Sequence, residues 1–197
     1  MQLEARGLGF GYEHRASVID DFDLSIRCGE RVALVGASGC GKSTLCKMLA
    51  GMLTPHRGEI LWNGTPLPTQ GYRPVQLIYQ HPEQAVNPRW RLRDTLNEGW
   101  ECDEQTLLSL GIEPAWLDRW PNELSAGELQ RICIARALSP QTRILIADEI
   151  STMLDVITQA QLWRWIMTVA EQRGMGVLVV THNRALSERL CERVISL

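Results

Sequence analysis

Nine consecutive residues, Gly36-Ala37-Ser38-Gly39-Cys40-Gly41-Lys42-Ser43-Thr44, hold the densest chemistry in the chain. Glycine, four residues, then glycine–lysine–serine is a spacing that lets a backbone turn tightly and aim successive N–H groups inward. It sits between the apolar run 32–35 and a helical pattern, so those donors meet the positive end of a helix and form a cradle for polyphosphate. Lys42 reaches the terminal phosphates as a point charge, and the Ser43 hydroxyl suits a magnesium ion. The composition of the loop thus points to a nucleotide. Cys40, inside the loop and close to the helix N-terminus, sits where thiols gain reactivity.

Three further groups stand where apolar runs end: Gln80 after 75–79, Asp148 and Glu149 after 144–147, and His182 after 177–180. In doubly wound sheets, ligands bind at the carboxyl ends of the strands. A shared site therefore accounts for all four ends at once, where separate explanations need a surface glutamine, a solvated acid pair and a half-buried histidine. Transfer of a γ-phosphoryl group to water needs charge neutralisation, a placed metal and an oriented water. Lys42 and the loop amides supply the first, and Ser43 with Asp148 the second. Glu149 is then free to act as general base. Gln80 or His182 senses or orients groups near the γ-phosphate, and Gln80 also has the reach of a metal ligand. The loop by itself leaves a kinase open. Farther along, Ser125 and Glu128 have the spacing of a capping box, serine at the N-cap and glutamate at the third helical position. Gly127 inside that first turn costs helix propensity and leaves room for an anion to approach the helix end.

The elements that must position these groups follow from the apolar pattern. Residues 3–10 and 22–26 alternate as half-buried antiparallel strands do; between them Tyr12 stands in a polar loop, either a rim aromatic or a ring for a nucleotide base. Residues 31–35 read as a strand buried on both faces. The helix after the glycine loop places Leu45, Met48, Leu49 and Met52 on one face. Residues 60–62 lead into an Asn63-Gly64 turn, and 75–79 form another strand. From 81 to about 122, prolines at 82, 88, 114 and 121 punctuate short helical pieces, one with Leu107, Leu108 and Leu110, another with Trp116 and Leu117. A longer helix runs from Ser125 through about Leu138. The fold class expected is α/β: a nucleotide-binding, mostly parallel core, an antiparallel N-terminal β subdomain, and a helical subdomain at about 81–140 inserted in one domain spanning 1–197.

Composition bounds the rest. The chain has 197 residues, 45% hydrophobic and 22% charged, enough for a real core. A net charge of −3 offers no overall basic field for nucleic acid, so no nucleic-acid partner is expected. Six cysteines (28, 40, 46, 102, 133, 191) form no C-x-x-C pair, which reads as a reduced compartment. The first residues carry no apolar signal segment and no run approaches 18 apolar residues, so the chain is expected neither to cross a membrane nor to be secreted.

Along essentially its whole length the sequence resembles the ATP-binding subunits of ABC transporters, P-loop NTPases with a RecA-like core. Residues 36–44 are similar to their Walker A motif, 144–148 to Walker B, and Glu149 to the catalytic acid beside it. Residues 124–128 resemble the family signature, the element least shared with other phosphate-loop proteins. Tyr12 matches the base-stacking aromatic, Gln80 the Q-loop glutamine, Asp155 the D-loop aspartate and His182 the switch histidine. The resemblance implies ATP and Mg2+ as ligands and head-to-tail pairing with a second ATP-binding subunit, itself or a sister. In that pair Ser125 and Gly127 of one chain cap the ATP held by the other. It also implies integral membrane permease subunits that meet the Gln80 segment and the helical insertion, a solute-binding protein outside the membrane, and a cytoplasmic place on the inner face of the cell membrane.

The segment Tyr79-Gln80-His81-Pro82, with Asn87-Pro88-Arg89 and with Glu128-Leu129-Gln130-Arg131, is most like importers of dipeptides, oligopeptides, nickel or metal–chelator complexes. The sequence departs from the family at Ala126, where glycine is usual, at Ile150-Ser151-Thr152-Met153, where Pro-Thr-Ser-Ala is commoner, and at its end, since Leu197 falls at the strand after the switch histidine. A soluble non-transport ABC ATPase would be expected to show coiled-coil arms or two ATPase units. A regulatory module with little turnover would have no need of Lys42, Glu149 and His182.

Overall fold

The structure, a computed structural model, describes residues 1–12, 17–152 and 154–197. Met153, one of the unusual residues after Glu149, lies outside them. Strands β1 (Gln2–Phe10), β2 (Ile19–Arg27), β4 (Arg57–Trp62) and β5 (Thr65–Pro66) make an antiparallel sheet in the order β2-β1-β4-β5. Strands β3 (Arg31–Val35), β6 (Val75–Ile78), β7 (Ile144–Asp148), β8 (Gly176–Val180) and β9 (Arg193–Ser196) make a parallel sheet in the order β6-β7-β8-β3-β9.

The sequence dictates how the parallel sheet is covered. Side chains alternate across a strand, and here both sets are apolar. Ile144 and Ile146 of β7, with Leu178 and Val180 of β8, enter a core shared with β1, β2 and helix α1 (Lys42–Leu49). Leu145 and Ala147, with Val177 and Val179, enter a second core under helices α2 (Leu92–Leu96), α4 (Ala126–Ala137) and α5 (Val156–Arg173). Every residue of β7 and β8 is buried, as the unbroken apolar runs require of strands covered on both faces. Helix α3 (Glu104–Ser109) and three 3₁₀ turns, Pro82–Gln84, Pro114–Trp116 and Pro121–Glu123, complete the segment between β6 and β7. Each turn opens with the proline that the sequence supplies, where a missing N–H costs nothing. Asn63 and Gly64 both have positive φ (51° and 78°), so the β4–β5 connection is the tight hairpin turn expected.

One expectation needs correcting. Met52 is not on the buried face of α1: the helix ends at Leu49, Gly51 turns at φ 70°, and Met52 is 51% exposed. Its sulfur instead accepts the Tyr79 hydroxyl at 2.9 Å. The helical piece with Leu107, Leu108 and Leu110 packs Leu107 and Leu110 on the core and projects Leu108 outward.

The two sheets meet at Gly176, the first residue of β8. A Cβ there would lie 2.5 Å from the Arg27 carbonyl oxygen of β2 and 2.6 Å from Cδ1 of Ile144. Backbone cannot step aside as a flexible side chain can, so this glycine sets how closely the sheets approach. Gly176→Ala is expected to lower stability by about 1–3 kcal/mol, read as a lower denaturant midpoint at an unchanged slope.

Candidate functional site

Strand order brings the predicted groups together. β6, β7, β8 and β3 are consecutive in one parallel sheet, so their carboxyl ends form one edge. Gln80, Asp148 with Glu149, His182 and the glycine loop all stand along it.

The loop runs from β3 straight into α1. Gly41 is its last residue, with φ 106°, and a Cβ there would come within 2.8 Å of Val18 and 3.0 Å of Ile19, so the loop rests on the start of β2. A Cβ on Gly36 would meet Cys40 Sγ at 2.7 Å, which shows the half-buried thiol folded back toward its own loop. The first-turn N–H groups of α1 have no intrahelical partner, and among the described residues no side chain caps them.

Lys42 is 6% exposed and its ammonium donates to the carbonyls of Gly36 and Ala37, each at 2.9 Å. Among the described residues its one ion-pair partner is Glu149, 4.0 Å away. Glu149 gathers the rest: Gln80 Nε2 donates to Oε2 at 3.2 Å, and His182 Nδ1 lies 3.3 Å from Oε1. Its own backbone has φ 48°, a left-handed conformation that a glutamate adopts only when neighbours hold it. The Glu149 N–H continues the β7–β8 ladder by donating to the Val180 carbonyl at 3.0 Å. Glu149 is therefore the hub of four strand ends.

Asp148 is 5% exposed, and its Oδ1 has no hydrogen-bond partner among the described residues. Burial pushes its carboxyl above the usual value, opposed by the Ser43 hydroxyl and reinforced by the charge of Glu149. An orphaned carboxylate oxygen next to a serine hydroxyl is an all-oxygen donor set of the kind Mg2+ takes.

Tyr12 lies beside the loop, 44% exposed. Its ring meets Phe10 edge-on at 5.1 Å, and its hydroxyl is 3.2 Å from Thr44 Oγ1. Ala37, Ser38 and Gly39 complete the turn.

A second set stands elsewhere. Ser125 caps α4: its Oγ accepts the Glu128 N–H at 3.3 Å, while the Glu128 carboxylate accepts from the Ser125 N–H at 2.7 Å and hydroxyl at 2.8 Å. These bonds hold the Glu128 carboxyl below its usual range. Asp155 caps α5 by accepting from the N–H groups of Ile157 and Thr158, both at 3.0 Å. Among the described residues no hydrogen bond joins Ser125, Gly127, Glu128 or Asp155 to the glycine loop. Gly127 is not open to its own side either, since a Cβ would meet Leu154 at 3.0 Å.

Two contributions go beyond the roles read from the motifs. Gln130, 4% exposed, donates from Nε2 to the Tyr79 carbonyl at 3.1 Å and so ties α4 to the residue before Gln80. Helix α5 supplies Trp163 and Gln159, whose N–H groups reach Ser151 behind Glu149. An Asp155 cap and a Gly174 stop at φ 62° mark that helix in the sequence.

The profile of the ABC transporter family matches residues 19–152. The chain belongs to that family. Among its relatives, the nickel import ATP-binding protein NikE of Escherichia coli (strain K12) is 37% identical over 206 residues, covering 94% of this chain and 77% of that protein. NikE of Shigella dysenteriae serotype 1 (strain Sd197) matches to the same extent, at 37%. A solved ATP-binding subunit of an ABC transporter superposes with a TM-score of 0.81 at 26% identity, covering all of this chain and 86% of that one. A dimeric bacterial ABC transporter cassette gives 0.83 at 23% identity, covering 99% and 94%, and shows the shared fold. This ABC chain is accordingly an ATP-binding P-loop ATPase of the cassette fold, coupled to transport.

Because burial favours neutral Asp148, the folded protein holds that proton to higher pH than the unfolded chain, and stability falls as pH rises through the raised value. Asp148→Asn removes this charge at little change of shape. It is expected to raise the ligand-free unfolding midpoint at pH 7 by about 2–4 °C. The gap should close as pH is lowered into the ordinary carboxylate range, as scanning calorimetry across pH would show.

Proposed function

We propose that this chain is the ATP-hydrolysing subunit of an importer of nickel or a nickel–chelator complex, working as one of two ATP-binding subunits paired head to tail. The observation that carries the reading is the convergence of Lys42, Gln80 and His182 on the Glu149 carboxylate. The nickel-import relatives support the cargo.

The whole chain is read as one ATP-binding domain, with residues 81–140 as its helical subdomain. Tyr12 stacks on the base. The loop amides and Lys42 hold the phosphates, which draw the ammonium away from the Gly36 and Ala37 carbonyls. Ser43, Asp148 and Gln80 hold Mg2+, which when bound neutralises phosphate charge. Glu149 accepts a proton from water as the water oxygen bonds to the γ-phosphorus. The bond from that phosphorus to the β–γ bridging oxygen breaks, and ADP leaves with its electron pair. His182 orients groups at the γ-phosphate once it swings from Glu149.

The signature helix end, with Ser125, Gly127 and Glu128, and Asp155 beside it belong to the site of the paired chain. Among the described residues that second set makes no hydrogen bond to the phosphate loop of its own chain, which supports this reading. Permease subunits meet the surface near Gln80, where a groove runs between Met52, Tyr79, Gln84 and Arg136. Trp90, ten residues after Gln80 in the chain, is 41% exposed. Trp100 is a poorer anchor, since its indole N–H is spent on the Arg136 carbonyl at 3.0 Å. Among the described residues no helix is long and apolar enough to cross a membrane. Attachment to the inner membrane face, and the link to a solute-binding protein, run through those permeases in this reading.

Glu149→Gln keeps shape and hydrogen-bonding reach but loses the proton acceptor. Turnover should fall by about 10²- to 10⁴-fold while ATP still binds, and the variant should accumulate as an ATP-dependent dimer. Lys42→Ala should fail to dimerise with ATP. Light scattering with and without MgATP reads both, and a Glu149→Gln chain that stays monomeric would transfer the pairing to a sister subunit. Trp90→Ala should weaken permease capture by roughly tenfold or more with ATP binding and the unfolding midpoint unchanged. An unfolded variant would place Trp90 in the core instead.

A further inference from the structure

Glu149 needs its left-handed backbone fixed before its carboxylate can serve as a base, and the means of fixing it lie in α5. The Glu149 carbonyl accepts twice from Thr152, from its N–H at 3.3 Å and its hydroxyl at 3.1 Å. The residues between are drawn inward: Ile150 is 3% exposed within the core under α4 and α5, and Ser151 is 5% exposed. The Ser151 hydroxyl oxygen accepts from the indole N–H of Trp163 at 3.1 Å and from Gln159 Nε2 at 2.6 Å. Both donors come from one face of α5, and Trp163 itself is 2% exposed. The two lone pairs of the hydroxyl are thus both taken.

A buried hydroxyl is costly unless bonded, and an aliphatic residue would fill the same space without that cost. Packing alone therefore gives no reason for a polar link at this point. The link runs from a rigid helix to a turn whose preceding residue holds φ 48°. We propose that Ser151 and Trp163 are positioning residues for ATP hydrolysis, a hydrogen-bonded clamp that holds the 149–152 turn and through it aims the Glu149 carboxylate. The inference rests on the reading of Glu149 as general base.

Three variants of the full chain test it. Trp163→Phe keeps the buried ring and loses the N–H, Ser151→Ala loses the hydroxyl, and Ser151→Thr keeps it. Amide hydrogen exchange of the nucleotide-free protein should speed up at residues 149–152 in the first two variants and leave β7 and α5 protected. For Trp163→Phe the kcat for ATP should fall between about two- and tenfold, the range of one lost hydrogen bond, and for Ser151→Ala, which loses two, at least as far, with the Kd for a fluorescent ATP analogue unchanged in both. The Trp163→Phe/Ser151→Ala double variant should be no slower than the slower single one, because both remove the same bond. Ser151→Thr should keep the parent rate. An unchanged exchange rate at 149–152, additive losses in the double variant, or exchange that rises evenly through β7 and α5 would overturn the clamp. Should the parent chain bind ATP without hydrolysing it, the general-base reading fails, while the exchange pattern still decides whether the clamp holds the turn.

Discussion

A lysine ammonium 6% exposed must find compensation inside the protein, because a buried cation without partners is among the most expensive features a fold can carry. Here two loop carbonyls and the carboxylate of Glu149 supply it. The loop must turn back on itself to offer those carbonyls, which needs glycines. The carboxylate must stand at the end of the next strand but one, which fixes the order β7, β8, β3. Burial of both strand faces in turn requires a helical layer on one side and the antiparallel sheet on the other.

The segment between β6 and β7 is bound to this centre at two places rather than hung from it. Gln130 of α4 holds the carbonyl just before Gln80, and Leu154 sits against Gly127 in the first turn of the same helix. The first contact leads to the side chain that touches Glu149. The second leads to the turn that follows it. A rotation of α4 thus reaches the carboxylate by two short routes, each through neighbours in direct contact.

Much of this was legible in the sequence because the chemistry is local. A glycine–lysine–serine loop and an apolar run ending in Asp148-Glu149 are contiguous signals, and the capping box at Ser125 needs only the glutamate three positions on. What escaped is non-local or composite. Helix α5 begins with Val156, Ile157 and Thr158, residues of low helix propensity, and two of them are 79% and 71% exposed. Its buried face is Leu162, Trp163, Ile166 and Ala170, four residues of four different types rather than a leucine stripe. Met52 sits at helical spacing from Leu45 and Met48, but Gly51 ends the helix before that spacing can act. The Ser151–Trp163 bond joins residues twelve apart through a loop and a helix, and no pattern in the chain announces it. The expected space at Gly127 was a correct reading of glycine with the wrong neighbour, since Leu154 already takes it.

The resting partners of Lys42 also bear on how the site empties. In a pocket that holds its cation only through bound phosphate, every departing product would strand a buried charge, and release would be opposed by the full desolvation of that ammonium. This lysine has the Gly36 and Ala37 carbonyls and Glu149 to return to. With Lys42 holding phosphate as proposed, loading and unloading are exchanges between two satisfied states, and the vacated loop resets itself without waiting for the next nucleotide.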